Sequence, residues 1–380
     1  MPTPTAHDVA LLCNPQAGGR WRVLADVLDS DEAKAVHRIV TDDIDNVREA
    51  LAGLGQRVKL LCIYGGDGTI CRVINELLRQ PGAVAPRLAF LGGGTMNVTS
   101  AWSGMSPSAG VNFRTVMRAY LADRLLWREV PLVAVTHGGH TSYGITVGLG
   151  PLVRLVARFE AGTKSRAAAV ALGVQSILSA VTGFPRSHRS VLREMEARVT
   201  IDGLELPYGR FASVFANTTG LINPFVKPFV GERTRDSFHF LAYAVSSREF
   251  AVMAPLLTRA QLPIDSRALL RPVSIYRQAL LSFAGRGGLP VDPRYVNRPA
   301  HEVVVETDED CYTIDGEVFA AVDRRFEFRL GPQLQLATLP GPLLRRLLPV
   351  DPHVPRHAPT RRTNNVTAAP PLNGTAAPRD

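Results

Sequence analysis

Lysine is nearly absent. The 380-residue chain has it only at Lys34, Lys59, Lys164 and Lys227, none of them in a glycine loop, although Lys and Arg together number 43. That scarcity removes the familiar phosphate loop, G-x-x-x-x-G-K-[ST]. No G-x-G-x-x-G opens the first strand-helix turn either, so neither standard nucleotide fingerprint applies. Cysteine is scarce too. Cys13, Cys62, Cys71 and Cys311 show no C-x-x-C spacing and read as reduced thiols in a reducing compartment. No cationic-then-apolar leader follows "MPTPTAHD", and the mildly apolar stretch 164–184 is short and interrupted by Gln175 and Ser176. A soluble, cytoplasmic protein is the expectation.

What is present is glycine in loops. In "IYGGDGTICRVINELL", residues 63–78, the apolar run from Val58 to Tyr64 leads into Gly65, Gly66, Asp67, Gly68 and Thr69. Ile70, Val73, Ile74, Leu77 and Leu78 then fall at i, i+3, i+4, i+7 and i+8. The first run is the pattern of a strand buried on both faces of a parallel sheet. The second is the apolar stripe of a helix, ended by Pro81-Gly82. Such a turn offers unpaired N–H groups and a positive dipole end, which suit a phosphate, and its glycines let the backbone come close. Asp67 would repel that phosphate unless magnesium lay between them, or unless its carboxylate bonded a hydroxyl of the nucleotide or the acceptor. Helix capping alone would need only one glycine.

The pattern recurs. Val9 to Cys13 empties into "NPQAGG", residues 14–19, before Trp21, Leu24 and Leu28 at helical spacing. Val36 to Val40 ends at Thr41 before a helix carrying Val47, Leu51 and Leu54, and Arg87 to Leu91 opens into "GGGTMN", residues 92–97. Four such units predict an α/β domain with an open, mostly parallel sheet whose ligand sits at the strands' carboxyl ends.

The three loops, N-P-x-A-G-G, G-G-D-G-T and G-G-G-T-M-N in this order, resemble the diacylglycerol kinase catalytic-domain family. That family includes bacterial lipid kinases, sphingosine kinases and ceramide kinases, and is distantly related to NAD kinases. The resemblance implies an ATP-binding α/β domain over 1–128 and a lipid-binding β-sandwich over 129–335, with the active site between them. A segment 336–352 returns to the body, and residues 353–380, rich in Pro, Ala and Thr, read as a disordered tail. Carried over by position, Asn14, Pro15, Gly18, Gly19, Thr41, Gly65, Gly66, Asp67, Gly68, Thr69, Gly93, Gly94, Thr95 and Asn97 line the nucleotide. The chain departs from the family's pattern at Gly92, where proline is usual, and at Val98, where aspartate is usual.

Beyond about residue 128 the pattern shifts to short strands with tight turns. Residues 132–150 read as a hairpin about Gly138-Gly139, flanked by His137 and His140 as paired or solvated histidines. The stretch 164–184 reads as a helix, either beside the lipid cavity or covering the sandwich core. Residues 301–319, "HEVVVETDEDCYTIDGEVF", read as two strands around Asp308-Glu309-Asp310, the second delivering Asp315 and Glu317 on one face of an extended strand. "IDGE" matches the family's D-G-E motif. The resemblance gives Glu317 the acceptor's proton, leaves Asp315 to orient the hydroxyl or a metal-bound water, and makes Asp67 the third catalytic carboxylate. It also implies a second magnesium site near Asp236, where Ser237 and Phe240 replace the usual glycine and acidic residue.

Net charge is +9, nearly all arginine, with no nucleic-acid-binding motif. "PLLRRLLP", residues 342–349, pairs leucines with Arg345 and Arg346 and suits an anionic membrane surface. The sequence-based expectation is an ATP- and Mg2+-dependent lipid kinase, peripherally membrane-associated, with diacylglycerol as acceptor ahead of a sphingoid base or ceramide. NAD kinase and a catalytically idle lipid-binding protein are the alternatives.

Overall fold

The computed structural model describes residues 3–339 apart from 18–20, 42, 55–56, 80–84, 95–99, 101–102, 163–165, 185–190, 223–225, 258–261 and 265–287. Segment 342–349 and tail 353–380 therefore lie outside the described residues. In the N-terminal part, strands β1 (Val9–Cys13), β2 (His37–Val40), β3 (Leu60–Tyr64) and β4 (Arg87–Phe90) alternate with helices α1 (Trp21–Leu28), α2 (Ile44–Leu54) and α3 (Asp67–Arg79). The strands pair in parallel in the order β4-β3-β1-β2. Every residue of β1 and β3 is buried, as their unbroken apolar runs require, while β2 forms the more exposed edge. The chain leaves β1 toward β2 on one side and returns to β3 on the other. This reversal opens a crevice at the carboxyl ends of β1 and β3, where two of the glycine loops lie.

From Leu126 onward the pairing is mostly antiparallel, apart from the short parallel pair Leu262–Ile264 and Gly288–Pro290 and a parallel contact with β4. The strand Leu126–His137 turns at Gly138 and Gly139, with φ of 55° and 77°, into His140–Gly144. The strand Arg325–Thr338 runs antiparallel along it, shifts register between Leu330 and Gln333, and sets Leu336 opposite Leu88 of β4. The N-terminal sheet is thereby continued into the C-terminal part. A six-stranded antiparallel sheet completes a sandwich, in the order Tyr295–Ala300, Phe238–Tyr243, Ser213–Asn217, Thr146–Leu149, Cys311–Ile314, Glu317–Ala320. Side chains of both sheets, among them Val133, Val147, Phe238, Phe240, Phe326 and Phe328, fill one core.

One local reading changes. Asp315 and Glu317 do not share the face of an extended strand. Asp315 and Gly316, with φ of 50° and 93°, form the two-residue turn between Cys311–Ile314 and Glu317–Ala320. Asp-Gly is a favoured sequence for that turn, and it takes precedence over the alternation around it. His137 is buried and stacked on Phe326. Its Nε2 accepts the N–H groups of Val322 and Asp323, so its Nδ1 donates to the Arg325 carbonyl. His140 is exposed.

The expected apolar stretch is the helix Arg166–Thr182, and no helix among the described residues is long and apolar enough to cross a membrane. Helix α3 buries Ile70, Val73, Ile74 and Leu77, and with them Glu76. The Glu76 carboxylate is clasped by Arg48 Nε at 2.8 Å and Arg79 Nη1 at 2.7 Å. The Arg48 hydrogen bond, foremost, holds the Glu76 carboxyl below its ordinary 4.5. A carboxyl depressed by folding stabilises the fold above its unfolded pKa, and that contribution is lost as acid protonates it. Urea titrations of wild type and Glu76→Gln should therefore show wild type the more stable at neutral pH, with the difference closing below about pH 4.5. A difference that stayed constant through the acid range would contradict this.

Candidate active site

The glycine turns meet at the strand ends. The Asn14 N–H donates to the Tyr64 carbonyl at 2.9 Å and its Nδ2 donates to Thr69 Oγ1 at 2.9 Å, tying the first loop to the second. Its Oδ1 accepts from the Gln16 N–H at 2.8 Å, which shapes the turn at Pro15. Thr41 donates its N–H to the Cys13 carbonyl at 3.0 Å, and its hydroxyl accepts from the Asp43 N–H at 3.1 Å. The Gly93 N–H donates to the Gly65 carbonyl at 2.8 Å, and a Cβ on Gly66 would stand 3.4 Å from the Gly94 Cα. Asn14, Pro15, Thr41, Gly65 to Thr69, Gly93 and Gly94 thus gather at one end of the sheet. Gly18, Gly19, Thr95 and Asn97 lie outside the described residues.

The C-terminal hairpin reaches this cluster. A Cβ on Gly68 would fall 1.9 Å from Glu317 Oε1 and 2.2 Å from its Cδ, so the carboxylate of Glu317 rests where a side chain of residue 68 would be. The Thr313 hydroxyl donates to the Glu317 carbonyl at 2.8 Å, and Arg72 Nη2 stands 3.7 Å from Glu317 Oε2. Asp315 is half-buried as a residue, but its carboxyl faces inward. Oδ1 accepts the Thr146 N–H at 2.8 Å, and both oxygens lie 3.0 Å from the Ile145 nitrogen. Burial pushes the Asp315 carboxyl up to about 7; the Ile145 and Thr146 N–H groups oppose that rise and the negative Asp67 adds to it. Three carboxylates, Asp67, Asp315 and Glu317, therefore converge on the N-terminal end of α3.

Asp236 stands apart. Its exposed carboxylate accepts the Thr234 hydroxyl at 2.6 Å and lies 3.6 Å from His301 Nε2. The neighbouring Ser237 hydroxyl is buried and accepts the Thr234 N–H, and Phe240 is in the sandwich core. Among the described residues no three His, Cys, Asp or Glu side chains are grouped to hold a metal.

The sequence reading missed Arg72 and Asn75. They lie four and seven residues beyond Gly68, on the same helical face, and that spacing was the available signal. Asn75 Nδ2 donates to the Tyr143 carbonyl, and the Tyr143 N–H donates to Asn75 Oδ1, both at 2.9 Å.

Parallel strands with glycine loops at their carboxyl ends thus face a carboxylate hairpin from an antiparallel sandwich. Residues 8–122 match the family model of the diacylglycerol kinase catalytic domain. Two candidate diacylglycerol kinases from Bacillus anthracis Sterne share the fold. One aligns at TM-score 0.57 and 14% identity over 87% of this chain and 97% of its own. The other aligns at TM-score 0.56 and 16% identity over 89% of this chain and 100% of its own. A sequence search of curated proteins returns no match. Residues 8–122 thus carry a diacylglycerol kinase catalytic domain, which marks a phosphotransferase of the lipid-kinase type.

The contact at Gly68 yields a test. Glycine inside a helix costs about 0.5–1 kcal/mol relative to alanine, so Gly68→Ala should fold with an unchanged or raised melting temperature. Its methyl would displace Glu317, and phosphoryl transfer should fall about tenfold or more, up to the roughly 10² to 10⁴ that full loss of a positioned acid-base group produces. Wild-type turnover in a well-folded Gly68→Ala would show that the Glu317 contact has no part in the chemistry.

Proposed function

We propose that the protein transfers the γ-phosphoryl group of ATP to the hydroxyl of diacylglycerol, giving phosphatidic acid. The observation that carries this reading is the seating of Glu317 on Gly68. A hydroxyl attacking a phosphoryl group must lose its proton to a base within hydrogen-bond reach, and the rest of the catalysis is positioning and charge neutralisation. In this reading, the N–H groups at the start of α3, with Asn14, Pro15, Thr41, Gly65, Gly66, Thr69, Gly93 and Gly94, cradle the nucleotide together with Gly18, Gly19, Thr95 and Asn97. Glu317 takes the acceptor's proton, since its side chain is 34% exposed and its carboxylate lies at the turn. Asp315 has both oxygens engaged by backbone N–H groups and orients the turn that carries Glu317.

Magnesium fits beside the turn. It usually takes one or two protein carboxylates and completes its shell with phosphate oxygens and water, and Asp67 at the start of α3 offers one, leaving Glu317 to accept the proton. When bound there it would neutralise charge on the transferring phosphoryl group. The Asp236 loop fits less well, because it supplies one carboxylate and places Ser237 and Phe240 where further ligands would be needed.

An anionic membrane surface is the proposed site of action. The helix Arg166–Thr182 packs Ile177, Ala180 and Val181 inward along with the buried Ser176 and Ser179. It leaves Val174 and Leu178 exposed, and beyond its end Phe184 is 71% exposed. No acidic residue occurs from Ala161 to Arg193, a stretch containing Lys164, Arg166, Arg186, Arg189 and Arg193. An exposed apolar face set in basic sequence suits insertion among anionic headgroups.

One assay tests the acceptor: purified protein, labelled ATP and Mg2+ with diacylglycerol, sphingosine, ceramide or NAD. Label in phosphatidic acid is expected; label only in another product would reassign the enzyme. In the same assay Glu317→Gln should lose on the order of 10² to 10⁴ in kcat while ATP still binds. Asp67→Asn should abolish turnover with the fold intact, and Asp315→Asn should lose less than Glu317→Gln. A dead Asp315→Asn beside an active Glu317→Gln would exchange their roles. Sedimentation with vesicles should show binding to anionic but not neutral lipid, weakened by salt and by Phe184→Ser. Equal binding to both lipids would remove the membrane reading.

A further inference from the structure

We propose that Asn75 is a positioning residue that sets where Glu317 stands over the Gly65–Thr69 turn. Its buried amide behaves like a short piece of strand: Nδ2 donates to the Tyr143 carbonyl and Oδ1 accepts the Tyr143 N–H, both at 2.9 Å. Nδ2 also donates to the Cys71 carbonyl one turn back along α3, at 2.9 Å, which fixes the amide plane. Tyr143 lies on His140–Gly144, whose sole strand partner among the described residues is Leu126–His137, so the amide occupies an otherwise open sheet edge.

From that point the contacts close a ring. Ile145 and Thr146, just past Tyr143, hold the Asp315 carboxyl. Asp315 and Gly316 make the turn, Glu317 returns to Gly68, and α3 leads back to Asn75. Between the two contacts, on the same helical face, Cys71 packs into the sandwich core and Arg72 faces Glu317. A helix bonded to Tyr143 through Asn75 and packed against Glu317 at Gly68 leaves Glu317 little freedom to shift along the turn. Only a side chain that both donates and accepts at one place can close the ring. Aspartate lacks the donor and leucine lacks both groups.

The turnover arm of the test rests on the lipid-kinase reading, and the exchange arm does not. Asn75→Leu and Asn75→Asp should lower kcat about tenfold or more while affinity for a non-hydrolysable ATP analogue stays within about twofold. Adding Glu317→Gln to Asn75→Leu should cost little beyond Glu317→Gln alone, because both changes remove the same placement. Without substrate, amide exchange at 143–146 and 315–317 should quicken about tenfold while β1 and β3 keep their protection. Unchanged exchange in both segments would overturn the proposal, as would ATP affinity falling in step with kcat or a fully additive double variant. A wild type that phosphorylated no lipid, alongside the expected exchange pattern, would overturn the functional reading and uphold the positioning role.

Discussion

The structure turns on one place where any side chain would have to displace a carboxylate. The carboxylate of Glu317 occupies the volume in which a Cβ on Gly68 would sit, and through that contact the antiparallel half meets the nucleotide-type loops. Helix propensity and site geometry pull in opposite directions there. The first residues of α3 would be steadier as alanine, and the site requires glycine. The resolution, a locally weaker helix in exchange for a carboxylate placed against its N-terminal turn, is the kind of departure from local preference that marks a functional position. Electrostatics follows from the same closeness. Asp67, Asp315 and Glu317 crowd negative charge that the α3 dipole and the Ile145 and Thr146 N–H groups offset only in part. Such a crowd favours the arrival of a cation or a proton.

How much of this could be read from sequence depended on whether a residue's partner was a pattern or a shape. The buried strands Val9–Cys13 and Leu60–Tyr64 were readable because both faces are covered and the whole run must be apolar. The helix Arg166–Thr182 and the Gly138-Gly139 turn were readable for comparable local reasons. "IDGE" was recognised as chemistry and misjudged as geometry, because alternation was followed through a dipeptide whose own preference is to turn. Asn75 and Arg72 were passed over since a polar residue beside an apolar helical stripe looks like a solvated flank until the partner strand is in place. The partners of Asp315 are backbone N–H groups, which no side-chain pattern announces.

Two acidic motifs that look alike in one dimension separate in three. Glu317 sits against the glycine turn at Gly68, and Asp315 lies near enough to Asp67 to feel its charge. Asp236 faces outward with a threonine hydroxyl and a histidine for company, and the neighbour that would have to supply a second oxygen is a core phenylalanine. Oxygen donors count toward a hard cation only when they converge, and convergence is a property of the fold.

The strand Arg325–Thr338 has a consequence for the order in which the chain can assemble. It lies beside β4, where Leu336 meets Leu88 and Gln335 accepts from Arg87 Nε at 2.8 Å. The N-terminal sheet is therefore flanked on that side by residues made some 248 positions later. A ribosome releases the nucleotide-type half long before its neighbouring strand exists, and loop closure over that separation is slow compared with local helix formation. Until then the outer edge of β4 lacks that neighbour, so the last of the described strands to be made also completes the first-made sheet.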